Sequence, residues 1–502
     1  MLDRVNRFFL KLENSDIPIF FYVVSFFFLT QLRNFFEQFS TGVPIRFDIF
    51  LHYTLFYVAL APALILFFHH FSRISIAKTA KVVLVFFVII VLPPVIDLIL
   101  TRGEGVWIGY LNDKISLRNF FFGGLFFSND VSPGIKIEIA VMLAASFLYF
   151  RSKKSSLSKG ALLSFGVYSI IFVFSRIPFL LNLFLSLAGC DYVFLLYDKL
   201  LSNFFSIIAL VLFLFVFRCA NPAYFKAIVK DFRYKRYLFY ALMVILGVAI
   251  AGSQRFVLSF GIVLDIILYL ISLIFASLFS IVTNDITDID IDRISNKNRP
   301  LVTGAIDQYN YEIIAWISLA LSLSLSMLAG GFSGFFFIVL FIGVYFLYSM
   351  PPFRFKRATF FSKIAISLNS FVLVLSGYHL LTGTLKNFPS GIWPFFLIGI
   401  TAAANFIDLK DYAGDKKAGI KTLPVVFGER KAKLLISIFF IFAYLMPLWL
   451  LNDQIKGKLV SSALLLLAAV QFFLINRKKY SERPVMIVIL ISVLIILFSF
   501  RG

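Results

Sequence analysis

Long apolar runs, interrupted by short polar and basic stretches, set the pattern of this chain from end to end. Fifteen of them approach the roughly 20 residues that a bilayer-crossing helix needs. In the first half they lie near 17–33, 47–69, 82–100, 134–150, 161–184 and 201–217. In the second half they lie near 237–252, 259–282, 311–329, 334–350, 361–381, 391–406, 434–451, 459–475 and 485–500. They are too long and too numerous for buried strands. The pattern therefore predicts an all-α, polytopic membrane protein with about fifteen transmembrane helices. A further apolar stretch, 117–128, is too short to span and suits a re-entrant or interfacial segment.

Composition closes off other classes. Of 502 residues, 60% are hydrophobic and 15% charged. A soluble domain is about 45–50% apolar and about 25% charged, so this chain could not cover a water-facing surface. Two cysteines, Cys190 and Cys219, exclude a disulfide scaffold. Sixty-six phenylalanines leave a question open, because lipid contact, packing and an aromatic binding wall would all use them.

The net charge of +21 reads as topology. Cytoplasmic loops are enriched in Lys and Arg. In the second half, alternate loops (226–236, 293–310, 351–363, 407–433 and 476–484) hold twenty-three basic residues, and the opposite loops hold five. This orients the nine-span half with its start in the cytoplasm. The first half is less asymmetric, ten against seven, but six spans return the chain to the same side. Charges confined to short loops between spans argue against a nucleic-acid surface. The polar stretch 218–236 divides the chain into residues 1–217 and 218–502.

The scarce acids carry the chemistry. Asp285, Asp288 and Asp292 follow the span near 259–282; Asp408, Asp411 and Asp415 follow the span near 391–406. Both sets have i, i+3, i+7 spacing, which places three carboxylates on one helical face. Asp290 points nearly opposite and is set aside. One acid at a span end ordinarily only solvates the interface, whereas two matched triads among basic loops need another reason. Oxygen-rich sets suit Mg²⁺ or Ca²⁺, and Mg²⁺ commonly shares carboxylates with substrate phosphates. No Cys or His cluster competes: His52, His69, His70 and His379 lie far from the acids in sequence. Nearby cations, Lys297, Arg299, Arg354, Lys356, Arg357 and Lys421, could hold phosphate oxygens. Together these features suggest a diphosphate at the mouth of an apolar cavity.

At these residues the sequence resembles the UbiA superfamily of intramembrane prenyltransferases, over roughly residues 226–502. The family's N-D-x-x-D-x-x-x-D is matched by Asn284, Asp285, Asp288 and Asp292, and its D-x-x-x-D by Asp411 and Asp415, which Asp408 extends. Its tyrosine and lysine-arginine loop is matched by Tyr348, Lys356 and Arg357, and G-x-K-T-L-P-x-x-x-G runs from Gly419 to Gly428. The resemblance implies a nine-helix bundle in a prokaryotic cytoplasmic membrane, with the site facing the cytoplasm. It implies that Mg²⁺, held by Asn284, Asp285, Asp288, Asp292, Asp408, Asp411 and Asp415, binds a polyprenyl diphosphate donor. Arg299, Tyr348, Lys356, Arg357 and Lys421 would contact the diphosphate, and a hydrophobic or aromatic acceptor would attack the allylic cation. The wording of N-R-P-L-V-T-G looks closest to branches that use geranylgeranylglyceryl phosphate or chlorin acceptors.

Two alternatives stand beside this reading. A divergent member of the same superfamily transfers phosphoribose to polyprenyl phosphate. A transporter would also line helices with acids, but near the bilayer midplane rather than at one face. Residues 1–217 fall outside the resemblance and carry no catalytic constellation; Asp97 reads as structural, and Arg176 within a span should face a partner or a cavity. Expression of residues 218–502 alone tests this division. Full prenyl-transfer activity from that fragment is the expected outcome if the first half takes no part in the chemistry, and an inactive but folded fragment would place part of the chemistry in residues 1–217.

Overall fold

The computed structural model describes residues 2–42, 46–106, 110, 131–187, 197–252, 259–357, 359–417, 421–450 and 458–499. Among these every regular element is a helix. Among the described residues, thirteen helices are long and apolar enough to cross a membrane. The chain forms two compact units, Met1–Lys226 and Ala227–Gly502, dividing inside the polar stretch 218–236. The short apolar stretch expected at 117–128 lies outside the described residues.

The first unit begins with a helix that hydropathy alone did not single out, α1 (Leu2–Glu13). It continues with α2 (Ile19–Thr41), α3 (Phe47–Ser72), α4 (Ile76–Leu100), α5 (Pro133–Ser152), α6 (Leu157–Leu187) and α7 (Tyr197–Ala220). Aromatic rings build much of its interior. Phe26 meets Phe87 edge to face at 4.8 Å, and Phe9 meets Tyr149 at 5.2 Å, the arrangement that ring quadrupoles favour. Asp97 is buried and accepts a 2.7 Å hydrogen bond from the Gly134 N–H at the start of α5. It therefore satisfies an amide that the helix itself leaves unpaired.

The second unit begins within α8 (Pro222–Asp231). Its helices are α9 (Tyr234–Gly252), α10 (Phe260–Thr287), α11 (Ile289–Ser295), α12 (Gln308–Ser349), α13 (Thr359–Thr382), α14 (Ile392–Lys410), α15 (Glu429–Leu450), α16 (Lys458–Ile475) and α17 (Glu482–Ser499). The spans expected at 311–329 and 334–350 are two helices that meet at a kink, and the stretch is labelled α12 as a whole. They join at Gly331 (φ 60°, ψ −153°), a conformation essentially reserved for glycine. Asp307 caps α12 by accepting the Asn310 N–H at 3.0 Å. Within α14 the turn widens to a π segment over Phe395–Ile400, and Ser367 of α13 donates to the Phe396 carbonyl there.

Helices α9 and α13 touch backbone to backbone. A Cβ added at Gly247 would fall inside the Val374 carbonyl, and one added at Gly377 would fall inside the Val244 carbonyl. Small residues permit such contact in membranes, where apolar burial gives helices little drive to associate. Gly247→Ala must push the two helices apart. It is expected to destabilise the protein by about 1–3 kcal/mol, read as a lower thermal midpoint in detergent. Gly252→Ala, which has nothing within 4 Å of the added methyl, serves as the control. Equal midpoints for the two variants would contradict this account.

Candidate active site

Carboxylates gather where α10 ends. The chain does not continue as one straight helix through Asp285, Asp288 and Asp292, as the spacing suggested. Helix α10 stops at Thr287, Asp288 takes a non-helical conformation (φ −101°, ψ 12°), and α11 starts at Ile289. The backbone bond from the Asp288 N–H to the Asn284 carbonyl survives at 2.9 Å, so the bend is slight. All three carboxylates stay buried or nearly so, while Asp290 is exposed and pairs with Arg293 at 3.2 Å.

Every one of these acids meets a cation. Asp285, 1% exposed, accepts from Arg233 at 2.9 Å and lies 3.7 Å from Arg299. Asp288 pairs with Arg354 at 3.0 Å and with Lys356. Asn284 accepts a 3.0 Å hydrogen bond from Lys356 and another from Ser349. Asp292 accepts from Asn296 at 2.7 Å through Oδ1, while its Oδ2 accepts no hydrogen bond and sits 3.9 Å from Arg299. Arg299 also binds Asp231 at 2.6 Å. Burial works against the charge on Arg299, but Asp285 and Asp231 outweigh it and hold its pKa above the ordinary arginine value. For Lys356 burial dominates: its pKa is lowered, although Asp288 opposes the shift.

The second acidic set starts at the end of α14. Asp408 lies on a wall of the cavity described below and pairs with buried Lys363 of α13 at 2.5 Å. Asp411 and Asp415 belong to the helical segment Asp408–Lys417, and their side chains lie outside the described residues. Arg357 sits in a 3₁₀ turn, Phe355–Arg357, with its side chain likewise outside them. Lys421 is exposed, beyond α14.

A cavity of about 440 Å³ opens beside these groups. Arg236, Tyr348, Lys356, Lys363 and Asp408 line its polar end. Met243, Leu246, Phe396, Phe440 and Ile496 are among the side chains that make the rest apolar. The volume is in the range of small-molecule sites, about 300–1,000 Å³. Unlike Arg233, Arg299, Arg354, Lys356 and Lys363, Arg236 has no carboxylate partner among the described residues; Tyr240, Tyr345 and Tyr348 surround it instead.

Sequence reasoning missed four of these groups: Asp231, Arg233, Arg236 and Lys363. They fall in the stretches 226–236 and 351–363, which the sequence pattern reads as loops. The overlooked signal was depth, because Lys363 is a turn inside α13 and a buried lysine needs a partner.

The side chains present suit a hard cation. The donors are oxygens, with no cysteine or histidine beside them among the described residues, and the buried Asp292 Oδ2 is left with no hydrogen bond. Among the described residues, no three acids converge as a ready-made metal cage, because arginines and lysines occupy them.

Comparison with known proteins places this half of the chain. A sequence model of the UbiA prenyltransferase family matches residues 240–494, about half of the protein. The digeranylgeranylglyceryl phosphate synthase of Pyrococcus horikoshii is 28% identical over 169 residues, covering 31% of this chain and 54% of that protein. A chloroplastic 2-acyl-4-prenylphloroglucinol 6-prenyltransferase of Humulus lupulus is 34% identical over 176 residues, covering 32% and 41%. The chain spans about half the length of the curated relatives it matches. A solved UbiA homologue from Archaeoglobus fulgidus, bound to GPP and Mg²⁺, aligns at a TM-score of 0.45 and 23% identity over 55% of this chain and 98% of that one. By the span of its family match, this chain belongs to the UbiA prenyltransferase family.

Proposed function

We propose that the second unit transfers a prenyl group from a prenyl diphosphate to a lipid-soluble or aromatic acceptor, in a Mg²⁺-dependent reaction. The observation that carries this reading is the cavity, cationic at one end and apolar along the rest. A diphosphate and a hydrocarbon tail need those two environments side by side. The names of the relatives, a digeranylgeranylglyceryl phosphate synthase and a phloroglucinol prenyltransferase, support the reaction class.

Asn284, Asp285, Asp288 and Asp292 would hold the metal from one side, with Asp408, Asp411 and Asp415 on the other. Bound Mg²⁺ neutralises diphosphate charge and so makes it a better leaving group. The protein's own cations do the rest. Lys356, 3.0 Å from Asn284 and on the cavity wall, is placed to donate to phosphate oxygens. Arg236, uncommitted to any carboxylate, supplies a second donor at the same end. Departure of the diphosphate leaves an allylic cation, and Tyr240, Phe396 and Phe440 offer ring faces that favour positive charge. The apolar depth keeps water from the cation, so that the acceptor's nucleophile captures it. The site faces the cytoplasm of a prokaryotic membrane, on the side of the basic loops.

Asp288→Ala tests the reading. Release of diphosphate from a prenyl diphosphate, with Mg²⁺ in excess, is expected to fall at least about 100-fold, the scale for losing one preorganised charge-stabilising group. Chelation of Mg²⁺ should abolish release in the unaltered protein, and undiminished release in either case would overturn the proposal. A second prediction concerns the wall of the cavity. Lys363→Met takes away the cation 2.5 Å from the buried Asp408 carboxylate and is expected to cost about 3–5 kcal/mol of stability. Adding Asp408→Asn should recover much of that loss, as read from denaturation midpoints of the single and double variants; additive losses would show that the pair does not act as a unit.

A further inference from the structure

The first unit contains a second cavity, of about 130 Å³, buried among α2 to α6. Arg33 of α2, Tyr53, Phe56 and Tyr57 of α3, Glu138 of α5 and Tyr110 line it. It lies deep in the apolar zone. Counted at 1.5 Å per residue from the near ends of their helices, Glu138, Arg33 and Tyr57 are about 8, 12 and 15 Å in. Charged residues at such depth are rare and mark function by default.

Its polar groups are incompletely matched. Arg33, 2% exposed, pairs with Glu37 one turn along α2, and its guanidinium lies 5.6 Å over the Tyr57 ring. Among the described residues its Nε has no hydrogen-bond partner, and the buried Tyr110 hydroxyl has none either. Glu138 makes no hydrogen bond or ion pair among the described residues. Buried polar groups rarely go unpaired, since each costs roughly 1–3 kcal/mol. Arg33 pairs with Glu37, and Glu138 lines the cavity with no ion pair of its own among the described residues. Four aromatic rings, those of Tyr53, Phe56, Tyr57 and Tyr110, line the same cavity, and ring faces attract cations and repel anions. An acid and ring faces in one cavity both favour a cation.

We infer that this cavity is a binding site for a small organic ammonium group that also carries a hydrogen-bond acceptor. The ammonium pairs with Glu138 among the ring faces, and the acceptor takes the Nε–H of Arg33. The volume limits the bound group to roughly the size of benzene, which a 150 Å³ cavity holds. A free amino alcohol and the aminoethyl head of a phospholipid share this chemistry.

The test uses the full chain, purified in maltoside and placed in phosphatidylglycerol nanodiscs. Ethanolamine and tetramethylammonium are the probes, with propanol as the neutral and acetate as the anionic control, and the thermal midpoint is the readout. Both ammonium probes should raise the midpoint, and neither control should. Glu138→Gln should weaken ethanolamine binding about tenfold or more, the loss expected of one charge-assisted hydrogen bond. Should Glu138→Gln not fold, Phe56→Leu decides: it keeps the cavity apolar but removes a ring face, and should weaken tetramethylammonium. Stabilisation by nanodiscs containing phosphatidylethanolamine, without a response to free ethanolamine, identifies the lipid head as the source. The inference is overturned if no ammonium stabilises the protein in either form. Propanol acting as well as the ammonium probes, or both variants responding like the unaltered protein, would also overturn it and leave a cavity filled by water alone.

Discussion

Carboxylates crowded at the end of a membrane helix repel one another and resist burial, and most of the second unit's polar architecture answers that constraint. Asp285 and Asp288 are buried only because Arg233, Arg299, Arg354 and Lys356 reach them from three directions. The loop after α11 supplies Arg299, the loop after α12 supplies Arg354 and Lys356, and the approach to α9 supplies Arg233. Removing any one cation leaves a partly desolvated charge, which costs far more than a surface pair would contribute. The loops are therefore held in place by the acids as much as by their own turns. The basic residues that the sequence pattern reads as a topological signal are thus also the partners of its buried acids.

Much of the fold was legible because the bilayer imposes a simple requirement. Backbone groups in hydrocarbon must pair internally, so a long apolar run becomes a helix with few alternatives. That reasoning located the helices but not their irregularities. The spans at 311–329 and 334–350 are both present, yet they join at the single non-helical residue Gly331 rather than across a loop. The bend at Asp288 has no glycine or proline to announce it. There the carboxylate is drawn to Arg354 and Lys356 and does not cap the following helix. Spacing identified the acids of the site, since charge is conspicuous in an apolar chain. It could not identify Arg233 or Lys363, whose roles depend on which carboxylate each meets, a matter of tertiary distance.

Phenylalanine resolves into three populations. Phe68, Phe87 and Phe150 are almost wholly buried and interlock as ring pairs in the first unit. Others face outward, among them Phe39 at 69% and Phe47 at 78% exposure, as expected of side chains turned to lipid. A third, smaller set, including Phe396 and Phe440, lines the large cavity. A single residue type thus packs, solvates and lines, and only position separates the uses.

The glycine contact between α9 and α13 bears on how such a cavity can diversify. Both helices line it, through Met243, Leu246 and Ile250 on one and Ile366 and Asn369 on the other. Where Gly247 and Gly377 meet the opposing backbone, no side chain exists to be enlarged or trimmed. That seam is closed to gradual change by point substitution. Variation in the length or girth of whatever chain the cavity admits must then accumulate on the facing helices, at residues such as Tyr444 of α15 and Ile489 and Ile496 of α17. Helices α9 and α13 form a fixed datum against which the other side of the cavity is free to evolve.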